Sequence, residues 1–495
     1  MSDLARYNLF INGEEAAPAG GEWIDSFNPY TGDPWARIPR GNETDVARAV
    51  EAADAAYRAP EWGGLKPSTR GNLLDKLADA LAQEADRLAE IEVRDNGKLI
   101  AEMSAQCHYI PQFYRYFGGL ADKVEGAVIP SDKPGMFTYT KHEPLGVVAG
   151  IIPWNSPLFL LTWKLAAALA AGNTFVVKPS EHASASTIEF AKVMAEAGLP
   201  PGVLNVVTGY GPEVGEPLAG HPKVAKVAFT GGEMGGKAVY TKAASELKPA
   251  TLELGGKSPN IVFDDADMDG AVKGAISGIF AATGQTCIAG SRLLVQESIH
   301  DEFVERLVDF AKTAQMGDPM SFDTQVGPVT TQAQYQKILN YIQIAKEEGA
   351  DCVLGGGPAE RPECGSGWFV EPTIFDNVTN DMRIAQEEVF GPVLSVITFT
   401  DEDDAIRIAN DTIYGLASGV WTQNVKRAIT VSDRLESGMV WVNTYRAVSY
   451  MSPFGGYKRS GHGRENGQDA IYEFLQTKTV WMSTAEEVPN PFVLR

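Results

Sequence analysis

Cys287 stands in the run Phe280-Ala281-Ala282-Thr283-Gly284-Gln285-Thr286-Cys287-Ile288-Ala289-Gly290-Ser291. Small residues and glycines on both sides leave its sulfur open to a substrate, and a thiolate is a strong nucleophile. Read alone, the same residue also fits an ordinary small apolar core position. Cys107, Cys352 and Cys364 lack this setting and read as structural. Glu253 closes the apolar run Thr251-Leu252-Glu253-Leu254 just before Gly255-Gly256-Lys257. It is a candidate general base, or else a plain strand-end carboxylate. Asn155, within Pro153-Trp154-Asn155-Ser156-Pro157, offers an amide N–H between a strand and a helix. That placement suits an oxyanion donor and equally a turn or helix cap.

Two further segments could hold a phosphorylated ligand. A G-x-G-x-x-G fingerprint is absent: after Gly209-Tyr210-Gly211, Val214 takes the place of the third glycine. Phe229-Thr230-Gly231-Gly232-Glu233-Met234-Gly235-Gly236-Lys237-Ala238 follows an apolar strand and opens a helix, so its free amides can face an anion. It matches most of a nucleotide P-loop, but Ala238 replaces the magnesium-binding hydroxyl, which weakens an ATP or GTP reading. A dinucleotide, another phosphate ligand and a plain tight turn stay open. Lys178-Pro179-Ser180-Glu181 falls at a strand's carboxyl end, where open α/β sheets bind ligands. Its acid and lysine suit ribose hydroxyls, or a solvated surface pair.

The elements that must position these residues alternate. Gly146–Ile152, Thr174–Lys178, Val203–Val207, Val224–Phe229 and Thr251–Leu254 read as strands. Helices over Pro157–Ala171, Ser184–Ala197 (capped by Ser184) and Gly236–Leu247 separate them. That pattern predicts a doubly wound parallel sheet. A second α/β series follows from Ser258, with strands at Asn260–Phe263, Arg292–Gln296, Val389–Thr398, Ala417–Trp421 and Met439–Val442. No linker separates the two series, so two domains packed over a cleft are expected. Before them, Leu73, Leu74, Leu77, Leu81, Leu88 and Ile91 recur at helical spacing and Gly97 is a stop signal. Val128-Ile129-Pro130 and Phe137-Thr138-Tyr139-Thr140 read as strands outside the core, an arm for another subunit, and Thr477–Met482 as a late strand.

A length of 495 residues suggests about two to four domains at roughly 100–200 residues each. The formal net charge of −22 opposes nucleic-acid binding through a basic face and binding to anionic lipid. No CxxC and no HxxxH occur, so no metal site is expected. The start, Met1-Ser2-Asp3-Leu4-Ala5-Arg6, has no basic region leading into an apolar core. The apolar stretch Pro157–Ala171 is broken by Lys164 and too short to span a bilayer. Few cysteines in so long a chain point to a reducing compartment, and the expected location is the cytoplasm.

Seven motifs occur in a definite order: Pro153-Trp154-Asn155, Lys178-Pro179-Ser180-Glu181, Phe229-Thr230-Gly231, Leu252-Glu253-Leu254-Gly255-Gly256-Lys257-Ser258-Pro259, Gly284-Gln285-Thr286-Cys287, Glu387-Glu388-Val389-Phe390-Gly391-Pro392 and Pro453-Phe454-Gly455-Gly456-Tyr457-Lys458. In this the whole chain resembles the NAD(P)-dependent aldehyde dehydrogenase superfamily. The resemblance implies a cofactor domain from 1–121 and 145–256, to which 459–474 return. It implies a catalytic domain over 257–458 and an oligomerisation element from 122–144 and 475–495. Members are homodimers or homotetramers, and they bind the nicotinamide cofactor without the usual fingerprint.

By the same resemblance Cys287 attacks the aldehyde to give a thiohemiacetal. Asn155 and the Cys287 N–H hold the oxyanion, hydride passes to NAD, and Glu253 activates water against the thioester. A tetrahedral alkoxide gives up hydride far more readily than an aldehyde, and the covalent adduct holds it in place. Lys178 and Glu181 are implied at the adenosine ribose, Glu388 at the nicotinamide ribose with Phe390 beside it, and Gly231 at the pyrophosphate. Ile151, Ile152, Pro153, Trp154, Ser180, Gly211, Phe229, Thr230, Gly232 and Leu254 complete the implied cofactor site.

For the substrate tunnel the implied residues are Ser156, Phe159, Leu160, Trp163, Thr286, Ile288, Val448 and Phe454. Most are apolar, which suits a medium-sized aliphatic or aromatic aldehyde. Ser156 replaces a residue that is often bulky. Arg446 is a candidate for an anionic or carbonyl-bearing tail, with a surface salt bridge as the plainer reading. Gly232 stands where many relatives have serine, and Glu233 places a carboxylate near the pyrophosphate. Glu181 repels a 2′-phosphate, so NAD is expected over NADP. Two alternatives remain: transfer of the acyl group to coenzyme A, which the presence of Glu253 opposes, and a silent ligand-binding relative, which the intact Cys287, Glu253 and Asn155 oppose.

Overall fold

The computed structural model describes residues 4–487 and 490–492, and the readings that fall on 1–3, 488–489 and 493–495 lie outside them. Buried parallel strands read as continuous apolar runs rather than alternating ones. Val147–Ile151, Thr174–Lys178 and Leu204–Val206 are of this kind, buried at every position. They lie in an eight-stranded sheet in the order Gly461–His462, Ala250–Glu253, Val224–Thr230, Val147–Ile151, Thr174–Lys178, Leu204–Val206, Leu9–Ile11, Glu14–Ala16. The five central strands are mutually parallel. Antiparallel strands from the chain's two ends close the edges.

Chain order runs outward from Val147–Ile151 in one direction, then jumps back to Val224–Thr230 on its other side. This reversal opens a crevice at the carboxyl ends of those two strands, where α/β sheets bind ligands. The two loops that leave it are Ile152-Pro153-Trp154-Asn155 and Gly231-Gly232.

A second, seven-stranded sheet follows the order Asp351–Leu354, Thr373–Asp376, Val393–Phe399, Arg292–Gln296, Pro259–Val262, Ala417–Trp421, Met439–Val442. All but its first pair are parallel. Glu253 ends a strand of the first sheet, and Pro259 begins one of the second. The short segment between them therefore joins the carboxyl edge of one sheet to the amino edge of the other. Cys287 sits just before Arg292–Gln296, on that amino edge.

The leucine-rich N-terminal stretch forms two helices, Pro67–Gln83 and Ala85–Asn96. Gly97 ends the second in the left-handed region at φ 72°, where L side chains are disfavoured. The strand expected at Val389–Thr398 begins later, at Val393, because Phe390 turns with φ 61° and Pro392 follows it. Ser184 occupies the N-cap position of Ala185–Glu196 but does not cap it. Its hydroxyl donates instead to the Ser180 carbonyl at 2.7 Å. Helix Pro157–Ala171 is buried along its whole length, Lys164 included.

Met136–Pro144 pairs antiparallel with Leu475–Ser483, and Val128–Ile129 pairs on its other side. This three-stranded arm leaves Val128, Phe137, Trp481 and Met482 exposed. No helix among the described residues is long and apolar enough to cross a membrane. The described residues contain no cluster fit to hold a metal ion.

Candidate active site

Three successive residues, Ala282, Thr283 and Gly284, have φ of 54°, 53° and 68°. Such values are unfavourable for the first two, and most of all for β-branched threonine. Hydrogen bonds hold the turn. The Thr283 hydroxyl donates to the Gly327 carbonyl at 3.1 Å. The Gln285 side chain donates to the Pro328 carbonyl at 3.3 Å and accepts from the Thr330 N–H at 2.9 Å. At Gly284 a Cβ would come within 1.9 Å of the Gly391 carbonyl oxygen, so only glycine fits. The turn delivers Cys287 to the cleft between the two sheets.

Asn155 meets this loop from the other side. Its Nδ2 donates to the Gln285 carbonyl at 3.0 Å. One amide hydrogen is thus used to orient the side chain, and the second has no acceptor among the described residues. Asn155 and Cys287, together with Leu160, line both of two adjoining cavities.

The larger cavity, about 390 Å³, is walled by Phe159, Trp163, Thr286, Ile288, Val448 and Phe454, with Ser156 beside Asn155. Ring contacts tie this wall together: Trp163 packs on Phe454 at 4.6 Å and on Phe159 at 5.2 Å between centroids. Arg446 also lines it and pairs with Glu102 at 3.7 Å, both side chains being mostly covered. The sequence reading missed Lys98, Gln106 and Tyr109, which also line the cavity. They come from the N-terminal helical region, more than 150 residues before the nucleophile in the chain, and nothing local in the sequence marks them.

The second cavity, about 180 Å³, brings together Pro153, Trp154, Thr230, Gly231, Gly232, Leu254, Glu388 and Phe390, with Glu253 and Cys287 at one side. Trp154 and Phe390 meet edge to face at 5.4 Å. Glu388 accepts the Gly256 N–H at 3.1 Å. Gln334 and Lys337, also unread from the sequence, close the far side. Ile151, Ile152 and Phe229 are buried in the sheet's cores, and the Phe229 ring lies under Gly231 and Gly235.

Lys178, Ser180, Glu181 and Gly211 do not line this cavity. Lys178 ends the strand Thr174–Lys178, Ser180 and Glu181 follow it, and Gly211 follows the strand Leu204–Val206. Lys178 Nζ donates to Glu181 at 3.2 Å and to the Pro179 carbonyl at 2.9 Å. Burial pushes the Glu181 carboxyl up, but the Lys178 charge and local N–H donors outweigh it and hold it below the usual range. At the start of helix Glu233–Ser245, nothing stands within 4 Å of where a Gly232 Cβ would be. Glu233, the carboxylate that would oppose a pyrophosphate there, is drawn to Lys237 at 2.6 Å and Arg459 at 3.5 Å. An open helix start, a neutralised nearby acid and an ionised ribose-type acceptor fit a dinucleotide. Lys237 is spent on Glu233 and exposed, unlike a phosphate-binding P-loop lysine.

Burial drives the electrostatics at the junction. Both Glu253 oxygens are buried without a hydrogen-bond partner. Burial first, and the nearby Glu465 charge second, hold its carboxyl well above the usual range, with Lys164 and Arg464 opposing. Lys164, fully buried in its helix, donates to Thr230 and Glu465. The Cys287 thiol is pushed up to about 12 by burial and then by the Glu253 and Glu388 charges.

The aldehyde dehydrogenase family model matches residues 16–480. The chain belongs to the aldehyde dehydrogenase family. It is 49% identical over 494 residues to the (Z)-2-((N-methylformamido)methylene)-5-hydroxybutyrolactone dehydrogenase of Acinetobacter baylyi, spanning 99% of this chain and 100% of that one. It is 46% identical over 482 residues to mouse cytosolic aldehyde dehydrogenase 1, spanning 97% of this chain and 95% of the relative. Betaine aldehyde dehydrogenase from Staphylococcus aureus, solved with NAD+, superposes with a TM-score of 0.97 at 40% identity, over 99% of this chain and 98% of that one. This member is an NAD-dependent enzyme that oxidises an aldehyde to its carboxylic acid.

Proposed function

We propose that Cys287 is the nucleophile of this oxidation, that Asn155 and the Cys287 backbone N–H hold the oxyanion, and that Glu253 activates the hydrolytic water. The observation that carries this reading is the position of Cys287 and Asn155 on the shared wall of the two cavities. An aldehyde in the larger cavity has its carbonyl within reach of the thiol. Attack forms a thiohemiacetal oxyanion, the thiol proton passing to solvent water as the C–S bond forms. The second Asn155 amide hydrogen then has an acceptor, the developing oxyanion. Bound NAD supplies the hydride acceptor. Glu253, lining the smaller cavity beside Cys287, takes a proton from water as that water attacks the thioester, and releases the acid and the free thiol.

Pro153, Trp154, Thr230, Gly231, Gly232, Leu254, Glu388 and Phe390 would hold the cofactor's nicotinamide half. Lys178, Ser180, Glu181 and Gly211 would hold its adenosine half. The ionised Glu181 favours NAD over NADP by repelling a 2′-phosphate. Phe159, Trp163, Thr286, Ile288, Arg446 and Phe454 would contact the substrate. The proposed division of the chain is a cofactor domain from 1–121, 145–256 and 459–474, a catalytic domain over 257–458, and an arm from 122–144 and 475–495. The arm's exposed apolar side chains support a homodimer or homotetramer. Four free cysteines support a cytoplasmic location.

The test is NADH formation over an aldehyde panel, with and without coenzyme A, including a hydroxylactone of the type named for the Acinetobacter relative. Acid should form in step with NADH, unaffected by coenzyme A, and Cys287→Ala should lose activity by at least about a thousandfold. Oxidation at the normal rate in Cys287→Ala, or an acyl-coenzyme A product, would overturn the reading.

A further inference from the structure

The larger cavity holds a buried lysine with no ionic partner; burial lowers its pKa from the ordinary ammonium value, with the Glu102 and Glu92 charges opposing. Lys98 is 3% exposed, and its Nζ donates to Ser156 Oγ at 3.0 Å. No carboxylate among the described residues lies within ion-pair distance of it. The nearby acids are otherwise engaged. Glu102 pairs with Arg446 and accepts the Ala282 N–H at 2.9 Å. Glu92 accepts the Leu158 N–H at 2.8 Å, and burial pushes its carboxyl up to about 7, so it is only partly ionised at neutral pH.

An ammonium has three N–H donors, and two of those on Lys98 have no acceptor among the described residues. The Ser156 hydroxyl, accepting from Lys98, keeps its own hydrogen to donate. Trp163, on the same wall, has a buried indole N–H without a partner. Buried donors left unmatched are costly, the more so when one is charged. Unpartnered acceptors stand nearby as well, Gln106 Oε1 in the cavity lining and Glu102 Oε2 behind it, but Lys98 donates to neither, so its remaining N–H groups are left for a ligand.

We propose that the preferred substrates are aldehydes with a second, carboxylate group, which Lys98 and Ser156 bind within the larger cavity. This rests on the assignment of the larger cavity to the aldehyde. Ser156 makes the site, since a bulkier apolar residue there would both fill the space and remove the lysine's hydroxyl partner. Arg446 is a weaker contributor, because Glu102 already offsets its charge.

Three aldehydes built on the same six-carbon chain separate the possibilities: hexanal, adipate semialdehyde and the methyl ester of that semialdehyde. With NAD, kcat/KM for the semialdehyde should exceed that for hexanal by about tenfold or more, with the ester between them. In Lys98→Met the acid-to-hexanal ratio should fall at least tenfold, chiefly through KM. Ser156→Ala, a smaller change, should lower the same ratio about threefold. Equal efficiency for acid and hexanal, or an unchanged ratio in both variants, overturns the proposal while leaving the assigned reaction intact. An ester used as well as the acid also overturns it, by showing that charge is not read. NADH from none of the three refutes the cavity assignment itself and the proposal with it.

Discussion

Glu253→Gln separates the roles of the two reactive side chains. In the assigned sequence the carboxylate acts only after hydride has left. The variant should therefore release one NADH per chain rapidly and then stall at the thioester. Neither Glu253 oxygen has a protein hydrogen-bond partner, so an amide of the same shape breaks no protein contact. The loss should be the base itself, typically about 10²–10⁴ in rate. At about 1.36 kcal/mol per tenfold, that raises the hydrolytic barrier by about 3–5 kcal/mol. Rapid mixing with excess aldehyde and NAD reads both phases: a burst close to one equivalent, then a steady state slower by that factor. Thermal melts supply an independent check. Burial raises the carboxyl's folded-state pKa above its unfolded value, so its neutral form favours folding. That contribution is complete below the unfolded pKa and is lost as pH rises through the folded one. Glutamine does not ionise, so the variant's Tm should gain on the wild type as pH rises above the usual carboxylate range. A slow steady state without a burst would place Glu253 before hydride transfer, and an unchanged steady state would remove it from the mechanism.

Asn155→Ala should slow turnover by about 10²–10³ while NAD binding, followed by protein fluorescence, stays within about threefold; an equal loss of both would contradict an oxyanion role. Gly284→Ala should destabilise the enzyme strongly, since the added methyl meets the Gly391 oxygen at 1.9 Å in a left-handed turn; a Tm within about a degree of wild type would show that the turn is soft. With the Cys287 thiol pushed up to about 12, alkylation of its peptide by iodoacetamide in the cofactor-free enzyme should accelerate about tenfold per pH unit from neutral to mildly alkaline solution. A rate already level below pH 8 would mean that the resting enzyme holds a thiolate.

Much of this protein is written locally in its sequence. Thr174–Lys178 and Arg292–Gln296 carry unbroken apolar runs that have no other use than a strand buried on both faces, and the folded strands begin and end at those residues. Pro157–Ala171 is likewise a helix from end to end, with proline at its first turn and glycine just past its last. Chain order supplied the motif set around Cys287, Glu253 and Asn155, because a strand end or a tight turn is a local event with local residue requirements.

What the sequence could not carry is anything made by residues that are neighbours only in space. The leucine spacing from 73 to 91 runs through a break at Glu84, because the periodicity of a core-facing stripe does not register where the axis turns. Lys164 reads as an interruption in an apolar helix and becomes the buried partner of Glu465, 301 positions away. Lys98 is an unremarkable lysine after Asn-Gly until folding sets it against Ser156 and strips it of water. Burial and charge pairing depend on the whole solvent-excluded volume, so the pKa of Cys287, the ionisation of Glu253 and the chemistry of the substrate cavity were decided only when the two sheets closed on each other.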